Sequence, residues 1–311
     1  MSGPLAASDL PATAGRSEPG TETLEVIAPR DAVVGTVPVR RSLPRRERRT
    51  VGAWCFLDQM GPVTVTEEQG MNVAPHPHIG LQTVTWLLSG EVVHRDSLGS
   101  EQLIRPGELN LMAAGRGVSH SEERTDRTGG VLQGVQLWVA QPEATRHGPA
   151  WFEHHSDLPV GAVGSAQLTV LLGEAAGLVS PGHADTELVG ADIRMGAGTA
   201  TLPLRSGWEH AVVALSGGIT VDGRFVAEGE TAYMGTEREE CRLSARDEAR
   251  ALLIGGPPFP EPVLMWWNYV ARSRDEITEA HREWTDGSDR FGRVASKLPR
   301  VEIGPPPWSA A

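Results

Sequence analysis

Cysteine is nearly absent: Cys55 and Cys241 are the only two in 311 residues, and they lie far apart. That excludes a disulfide framework and a thiolate metal knot, and it points to a reducing cytoplasm. No apolar run approaches the roughly 20 residues of a membrane span, so no membrane insertion is expected. The opening MSGPLAASDLPATAGRSEPGTE has no apolar stretch behind a basic start, so no secretory signal is expected either. Positive charge is in deficit, with a net −12. Such a surface repels phosphate backbones and anionic lipid on average, which argues against direct nucleic-acid binding. Long helical patterns are few, whereas glycine (36) and proline (23) are plentiful. Together these predict an all-β chain with many turns.

The length suits two medium domains. Residues 1–24 are small and polar and read as a flexible tail. The stretch VRRSLPRRERR carries six arginines between Arg40 and Arg49. Pro44 and Glu47 interrupt it, and a solvated hairpin or loop is the expectation. Residues 25–145 read as a first domain, within which Trp54 to Val139 alternates short apolar runs with glycine turns, as in LQTVTWLLSG, EQLIRPGELNLMAAG and VLQGVQLWVA; this predicts an antiparallel sandwich or barrel. Residues 146–165 break this pattern and read as a linker. A second β-rich block spans 166–260. In it VALSGGITVDGRF and AEGETAYMG echo WLLSGEVVHRDS and RPGELNLMAAG, the trace of a duplication. In 261–311, RSRDEITEAHREW predicts a helix: Ser273 and Glu276 have capping-box spacing, and Ile277, Ala280 and Trp284 recur at helical spacing.

The chemistry is carried by PHPHIG at 75–80. In an extended segment His76 and His78 share a face, and the prolines favour extension of the residues before them. His120 and Glu122 in GRGVSHSEE repeat the same spacing. Two antiparallel strands would place three imidazoles and one carboxylate around an ion.

These motifs resemble those of the pirin family of bicupins. The similarity runs through GPVTVTEEQGMNVAPHPHIGLQTVTWLLSGEVVHRDSLG, PGELNLMAAGRGVSHSEE and GVQLWV to the C-terminal WWNYVARSRDEITEAHREW. It implies two cupin barrels in one chain with a C-terminal helix, and one divalent metal held by His76, His78, His120 and Glu122. Iron is the family's usual occupant; the donor set also suits Mn, Co, Ni, Cu or Zn. The wider cupin pattern has a glutamate four or five residues past the second histidine. Here Gln82 takes that place, and it could orient a ligand or a water. In the second half, alignment on the Ser-Gly and Gly-Glu turns sets Pro203, Arg205, Arg242 and Ser244 at the ligand positions, so no second site is expected.

The resemblance implies a dioxygenase that cleaves quercetin-like flavonols with O2, with Glu122 as a candidate base. Its rivals are a redox-dependent regulator that binds a protein partner, and a Lewis-acid isomerase or hydrolase. Leu57, Met60 and Met112 are candidates for the apolar pocket wall. His94 and Asp96 read as a hydrogen-bonded rim pair, His154 and His155 as surface residues, and Cys55 as a small core residue. Trp208 and His210 do not align with the ligand positions. WWN at 266–268 reads as packing for the C-terminal segment.

Overall fold

The computed structural model describes residues 24–67 and 69–309. The tail expected over 1–24 lies outside them except for Leu24. The fold is all-β, two barrels and one C-terminal helix, as the periodicity and the resemblance imply.

Each barrel pairs one large and one small antiparallel sheet. The first large sheet runs Trp151–His155, Leu109–Ala113, Leu81–Ser89, Val131–Ala140, Trp54–Thr64, Val37–Leu43, Arg30–Val34. The second runs Glu25–Ile27, Thr231–Tyr233, Glu209–Ser216, Ala249–Gly256, Val189–Met195, Ala166–Ala175, Val160–Val163. The small sheets match in the same way. Asn72–His78, Val118–Glu123, Val92–Asp96 and Glu101–Ile104 correspond in order to Gly198–Pro203, Glu240–Ala245, Ile219–Val221 and Arg224–Val226. The faint echo in sequence is therefore a duplication of topology.

The two copies exchange their first strands. Glu25–Ile27 pairs with Thr231–Tyr233 of the second barrel, and Trp151–His155 pairs with Leu109–Ala113 of the first. Residues 146–165, expected as a bare linker, thus carry one strand of each barrel, Trp151–His155 and Val160–Val163. The apolar alternation there is too short to register as a strand, and pairing with a preformed edge supplies what propensity does not.

The outer faces of the large sheets share one core. Leu57, Val84, Leu137 and Leu109 of the first meet Leu172, Val213, Leu252 and Ile254 of the second. Trp54 Nε1 donates across the join to the carbonyls of Val189 (3.1 Å) and Gly255 (3.2 Å). The arginine run divides: Arg40 and Arg41 lie in the strand Val37–Leu43, while residues 44–50 form the expected loop, with Arg46 and Glu47 exposed. Arg41 is 2% exposed and meets Asp58 through two 2.7 Å bonds. Arg40 reaches Glu228, and Arg48 lies over Tyr233 and near Glu25 and Glu209 of the other barrel's surroundings. Carboxylates remote in sequence thus pair with Arg40, Arg41 and Arg48.

The helix forms at Arg274–Asp286 with Ser273 as N-cap, its hydroxyl accepting from Glu276 N–H. The reciprocal half of the box is absent, because Glu276 accepts instead from Arg272 N–H and from Arg146. Gly287 ends the helix at φ 70°, a left-handed conformation that glycine adopts without a Cβ clash. Ile277, Ala280 and Trp284 bury against Ile79, Trp266, Trp267 and Tyr269. The C-terminal segment therefore turns back onto the first barrel and straps the PHPHIG strand: Val301 N–H donates to Pro75 O, and Val270 N–H to Ile79 O.

Candidate metal centre

Asn72–His78 is an edge strand of its sheet, where prolines 75 and 77 remove no needed ladder bond. It pairs with Val118–Glu123 so that His76 lies opposite His120 and His78 opposite Val118. The register then slips by one, with Glu122 opposite Val73. Ala74 lies within this bulge, and its carbonyl stands 2.9 Å from His76 Nδ1. On its other side Val118–Glu123 pairs with Val92–Asp96, setting His120 opposite Asp96 and Glu122 opposite His94. Three adjacent strands thus each contribute residues at i and i+2 to the barrel interior: His76 and His78, His120 and Glu122, His94 and Asp96.

All three imidazoles of the expected set come together. His76, His78 and His120 are buried and each offers a ring nitrogen within 4.8 Å of the others. Every Nδ1 is engaged: His76 with Ala74 O, His78 with Asn268 O at 2.9 Å, and His120 with His94 Nδ1 at 3.3 Å. A carbonyl can only accept, so His76 and His78 carry Nδ1–H and present a bare Nε2 lone pair. His78 Nε2 lies 3.0 Å from His120 Nε2. Two ring nitrogens so close either share a proton or face a common cation. The donor set therefore fits a metal ion. Burial pushes all three imidazoles down, His78 to about 4, and neighbouring histidines add to the shift of His76 and His120. Neutral imidazole is the form that ligates.

Glu122 is buried on the same cavity wall, but the close group comprises the histidines alone. Its Oε1 accepts from Thr85 Oγ1 at 3.3 Å, and burial raises its carboxyl above the ordinary value. Gln82 does not orient a ligand. It is buried and its Nε2 donates to His183 O at 2.8 Å. The expectation extended strand alternation from His78 through residues 79–80, where the chain breaks between strands and the parity is lost. His94 and Asp96 are indeed bonded (3.2 Å), but they are buried against His120 rather than on a rim.

The cavity measures roughly 430 Å³ including its mouth. Phe56 and Trp138, stacked with centroids 4.0 Å apart, form one wall; Met60, Met71 and Val73 form another. Met60 is thus placed as expected. Leu57 points the opposite way into the core between the barrels, and Met112 packs in a separate cluster with Cys55 and Phe56. Cys55 is a core residue as read, its thiol pushed up to about 12 by burial. Asp58 and Gln136 also line the cavity. They belong to an in-register row across the large sheet: Arg41, Asp58, Gln136, Thr85, Asn110, His154. His154 is half-buried and bonded to Asn110 Oδ1 (3.1 Å), and His155 is bonded to Glu153, so neither is a free surface residue. The third member of WWN reaches the site through its backbone carbonyl, while both tryptophans pack as read.

The second barrel is filled with aliphatic side chains, among them Ala200, Leu202, Leu243 and Val212. The paired inward residues that answer to His76 and His120 are Leu202 and Cys241. Pro203 and Arg242 are exposed, and Ser244 is half-buried outside that core. Alignment on turns was therefore one residue out of register, though neither set offers ligands. Trp208 packs on this core beside the buried His210.

Two duplicated barrels, one with a buried trio of histidines able to hold a metal, define a bicupin with a single candidate centre among the described residues. The pirin family model matches residues 36–139, and the model of the pirin C-terminal cupin domain matches residues 190–292. A Pseudomonas aeruginosa protein provisionally named a quercetin 2,3-dioxygenase is 43% identical over 276 residues, 88% of this chain and 87% of that protein. A pirin-like protein of Caulobacter vibrioides is 36% identical over 87% of this chain and 93% of its own length. The crystal structure of quercetin 2,3-dioxygenase from Acinetobacter baumannii superimposes with a TM-score of 0.88 at 40% identity, covering 91% of this chain and 96% of that one. The chain belongs to the pirin family. No helix among the described residues is long and apolar enough to cross a membrane.

Proposed function

We propose that this protein is an oxygen-dependent dioxygenase that cleaves quercetin-like flavonols at one divalent metal, Fe(II), held by His76, His78, His120 and Glu122. The close grouping of three buried imidazoles, each with a ring nitrogen within 4.8 Å of the others, carries the reading, and the relatives named for quercetin cleavage support it. A bound first-row ion supplies Lewis acidity toward a substrate oxygen and redox access to O2.

The chain's own residues perform the rest. The stacked Phe56–Trp138 wall offers a flat apolar surface to an aromatic ring system. Asp58 and Gln136 offer an acceptor and an amide to ring hydroxyls. Glu122, buried on the cavity wall beside the histidines, is the carboxylate placed to take the hydroxyl proton. Low exposure of the trio excludes bulk water from the reacting centre.

The test is aerobic loss of the quercetin absorbance band, with matching oxygen uptake, by protein loaded in turn with Fe(II), Mn, Co, Ni, Cu and Zn. Turnover with Fe(II) is expected. Absence of turnover with every one of these ions overturns the reading.

A further inference from the structure

A second cavity opens where the C-terminal segment docks beside the end of the histidine strand. It measures roughly 510 Å³ including its mouth and shares no lining residue with the metal cavity. That size is ordinary for a small-molecule site. Ile79 and Gly80, which follow His78, form part of its wall together with Gly115 and with Val270 of the C-terminal segment. Ile79 and Val270 are buried and give the cavity an apolar face.

The charged groups around it are unevenly spent. Arg146, 7% exposed, is saturated: it donates twice to Glu143 and twice to Glu276. Arg290 commits Nε to the Arg116 carbonyl at 2.7 Å and Nη1 to Glu283, which leaves Nη2 without a partner among the described residues. Its stem is held against Gly117, where a Cβ would lie 2.9 Å from Arg290 Cγ. The Arg116 guanidinium is exposed and has no partner among the described residues. The Nε bond sets these two arginines side by side, with Glu283 the one carboxylate bonded to either. The acids that line the cavity are turned to other donors. Glu276 accepts from Arg146 and from Arg272 N–H, and Glu279 lies 4.0 Å from Arg282. His147 is exposed and lies 3.9 Å from Glu143.

We propose that this cavity is a second binding site, for a small organic acid: Arg116 and Nη2 of Arg290 take its carboxylate, and Ile79 and Val270 take its apolar body. Unspent guanidinium donors ask for an oxyanion, and charge-assisted bonds of this kind are the strong ones. The buried aliphatic face asks for carbon beside that oxyanion. A single negative charge matches the one unpaired guanidinium. A phosphate dianion brings more charge against Glu276 and Glu279 than Arg116 neutralises, and a polyanion meets a concave opening on a chain of net charge −12. The site is separate from the metal centre and does not depend on what that centre does.

The test is an NMR titration of the full, metal-free chain at constant ionic strength, read at backbone amides. Three probes divide the recognition: benzoate carries a carboxylate on an apolar ring, benzamide keeps the shape without the charge, and inorganic phosphate keeps charge without the body. Benzoate is expected to shift the amides of Gly80, Gly115 and Val270 saturably and to leave those of Val73 and Trp138, beside the metal cavity, in place. Benzamide and phosphate should bind at least about 10-fold more weakly, the scale of a lost hydrogen bond to a charged group. Arg116→Gln should weaken benzoate by a similar factor. Its side chain bonds nothing in the fold, so the variant should stay folded. If it does not, Glu279→Gln reads the same field with the opposite sign, and benzoate should bind about twofold more tightly or better. No saturable shift at the three amides overturns the proposal. So does benzamide or phosphate that binds as well as benzoate, or unchanged benzoate affinity in the variant that folds.

Discussion

In the first barrel the row Arg41, Asp58, Gln136, Thr85, Asn110 crosses five neighbouring strands of the large sheet. On the corresponding strands of the second barrel, an in-register row reads Val170, Ala191, Leu253, Val212, Ala232. Strand order is the same in both; what fills the interior is opposite. The aliphatic row closes on itself as an ordinary core. The polar row is buried at a cost of roughly 1–3 kcal/mol for each group left without a partner, so it persists only with bonds made within it. Two of those bonds, Arg41 to Asp58 and Thr85 to Gln136, stand beside the cavity that holds the histidines. The duplication thus separates two tasks that one barrel would combine: the second copy supplies apolar packing, while the first retains a costly polar interior around a candidate centre.

The sharpest way to break this comparison is to damage each copy alone. His78→Ala removes one of three imidazoles and should lower Co(II) or Zn(II) affinity by more than about 100-fold, beyond the range seen for lost outer partners. Its folding midpoint should change little in metal-free protein. Leu202→Ala in the second barrel should do the reverse: a stability loss of about 2–5 kcal/mol from the cavity it leaves, with metal content unchanged. Chelator competition and urea denaturation, run on both variants, read the two effects. Equal metal loss in both would mean that the barrels do not divide the work.

The next largest effect concerns the polar row. Asp58→Ala leaves the Arg41 guanidinium, 2% exposed, without its carboxylate. Removing one member of a buried pair costs about 3–5 kcal/mol, whereas replacing both by apolar residues is often neutral. Arg41→Met combined with Asp58→Leu should therefore recover most of the stability in urea denaturation, and bring the first barrel nearer to the second. If the double variant is as unstable as Asp58→Ala, the row owes its place to packing and not to charge pairing.

The histidine motifs were legible in sequence because strand alternation is local: i and i+2 share a face wherever the segment is extended, and His76, His78 and His120 needed only one strand pairing to meet. The helix was legible for the same reason, its cap and apolar stripe lying within thirteen residues. What was not legible depends on distant pairing. Asn268 contributes a backbone carbonyl, which leaves no mark of residue type, from 190 positions away. Arg41, Asp58, Thr85 and Gln136 each interrupt an apolar strand, a signal of buried polarity, yet only the sheet register shows that they form a row. His94 and Asp96 had the right spacing and were read as a rim because nothing local reports depth. The strand exchange is invisible for the same reason. A three-residue strand such as Glu25–Ile27 has no periodicity of its own, and its partner is two hundred residues away.

Acid should charge a histidine buried in the second barrel. His210 is buried, and burial holds its pKa down to about 4, against the ordinary 6.5. The folded state therefore binds the proton less readily than the unfolded state. Stability from this group is fully present above pH 6.5 and is lost as pH falls toward and through 4. His210→Gln should flatten the slope of unfolding free energy against pH between 6.5 and 4, by no more than the one-proton limit of about 1.4 kcal/mol per pH unit. Urea titrations at half-unit pH steps measure it. An unchanged slope would mean that His210 does not contribute to the acid sensitivity of the fold.

The smallest expected effect tests the strap that the C-terminal segment lays over the first barrel. Ser273→Ala removes the hydroxyl that accepts from Glu276 N–H at the start of the helix, a loss of about 1 kcal/mol for a typical cap. The strap has other anchors. Arg146 holds Glu276 by two 3.0 Å bonds, and Trp284 Nε1 donates to Val301 O at 2.8 Å. The helix should therefore stay docked, and the Asn268 carbonyl should stay on His78. Hydrogen exchange should rise in the first turn of the helix alone, and metal affinity should shift by less than about threefold, well under the 10–100-fold expected when an outer partner is lost. A larger fall in affinity would show that helix fraying reaches His78, and that the C-terminal strap tunes the centre as well as covering it.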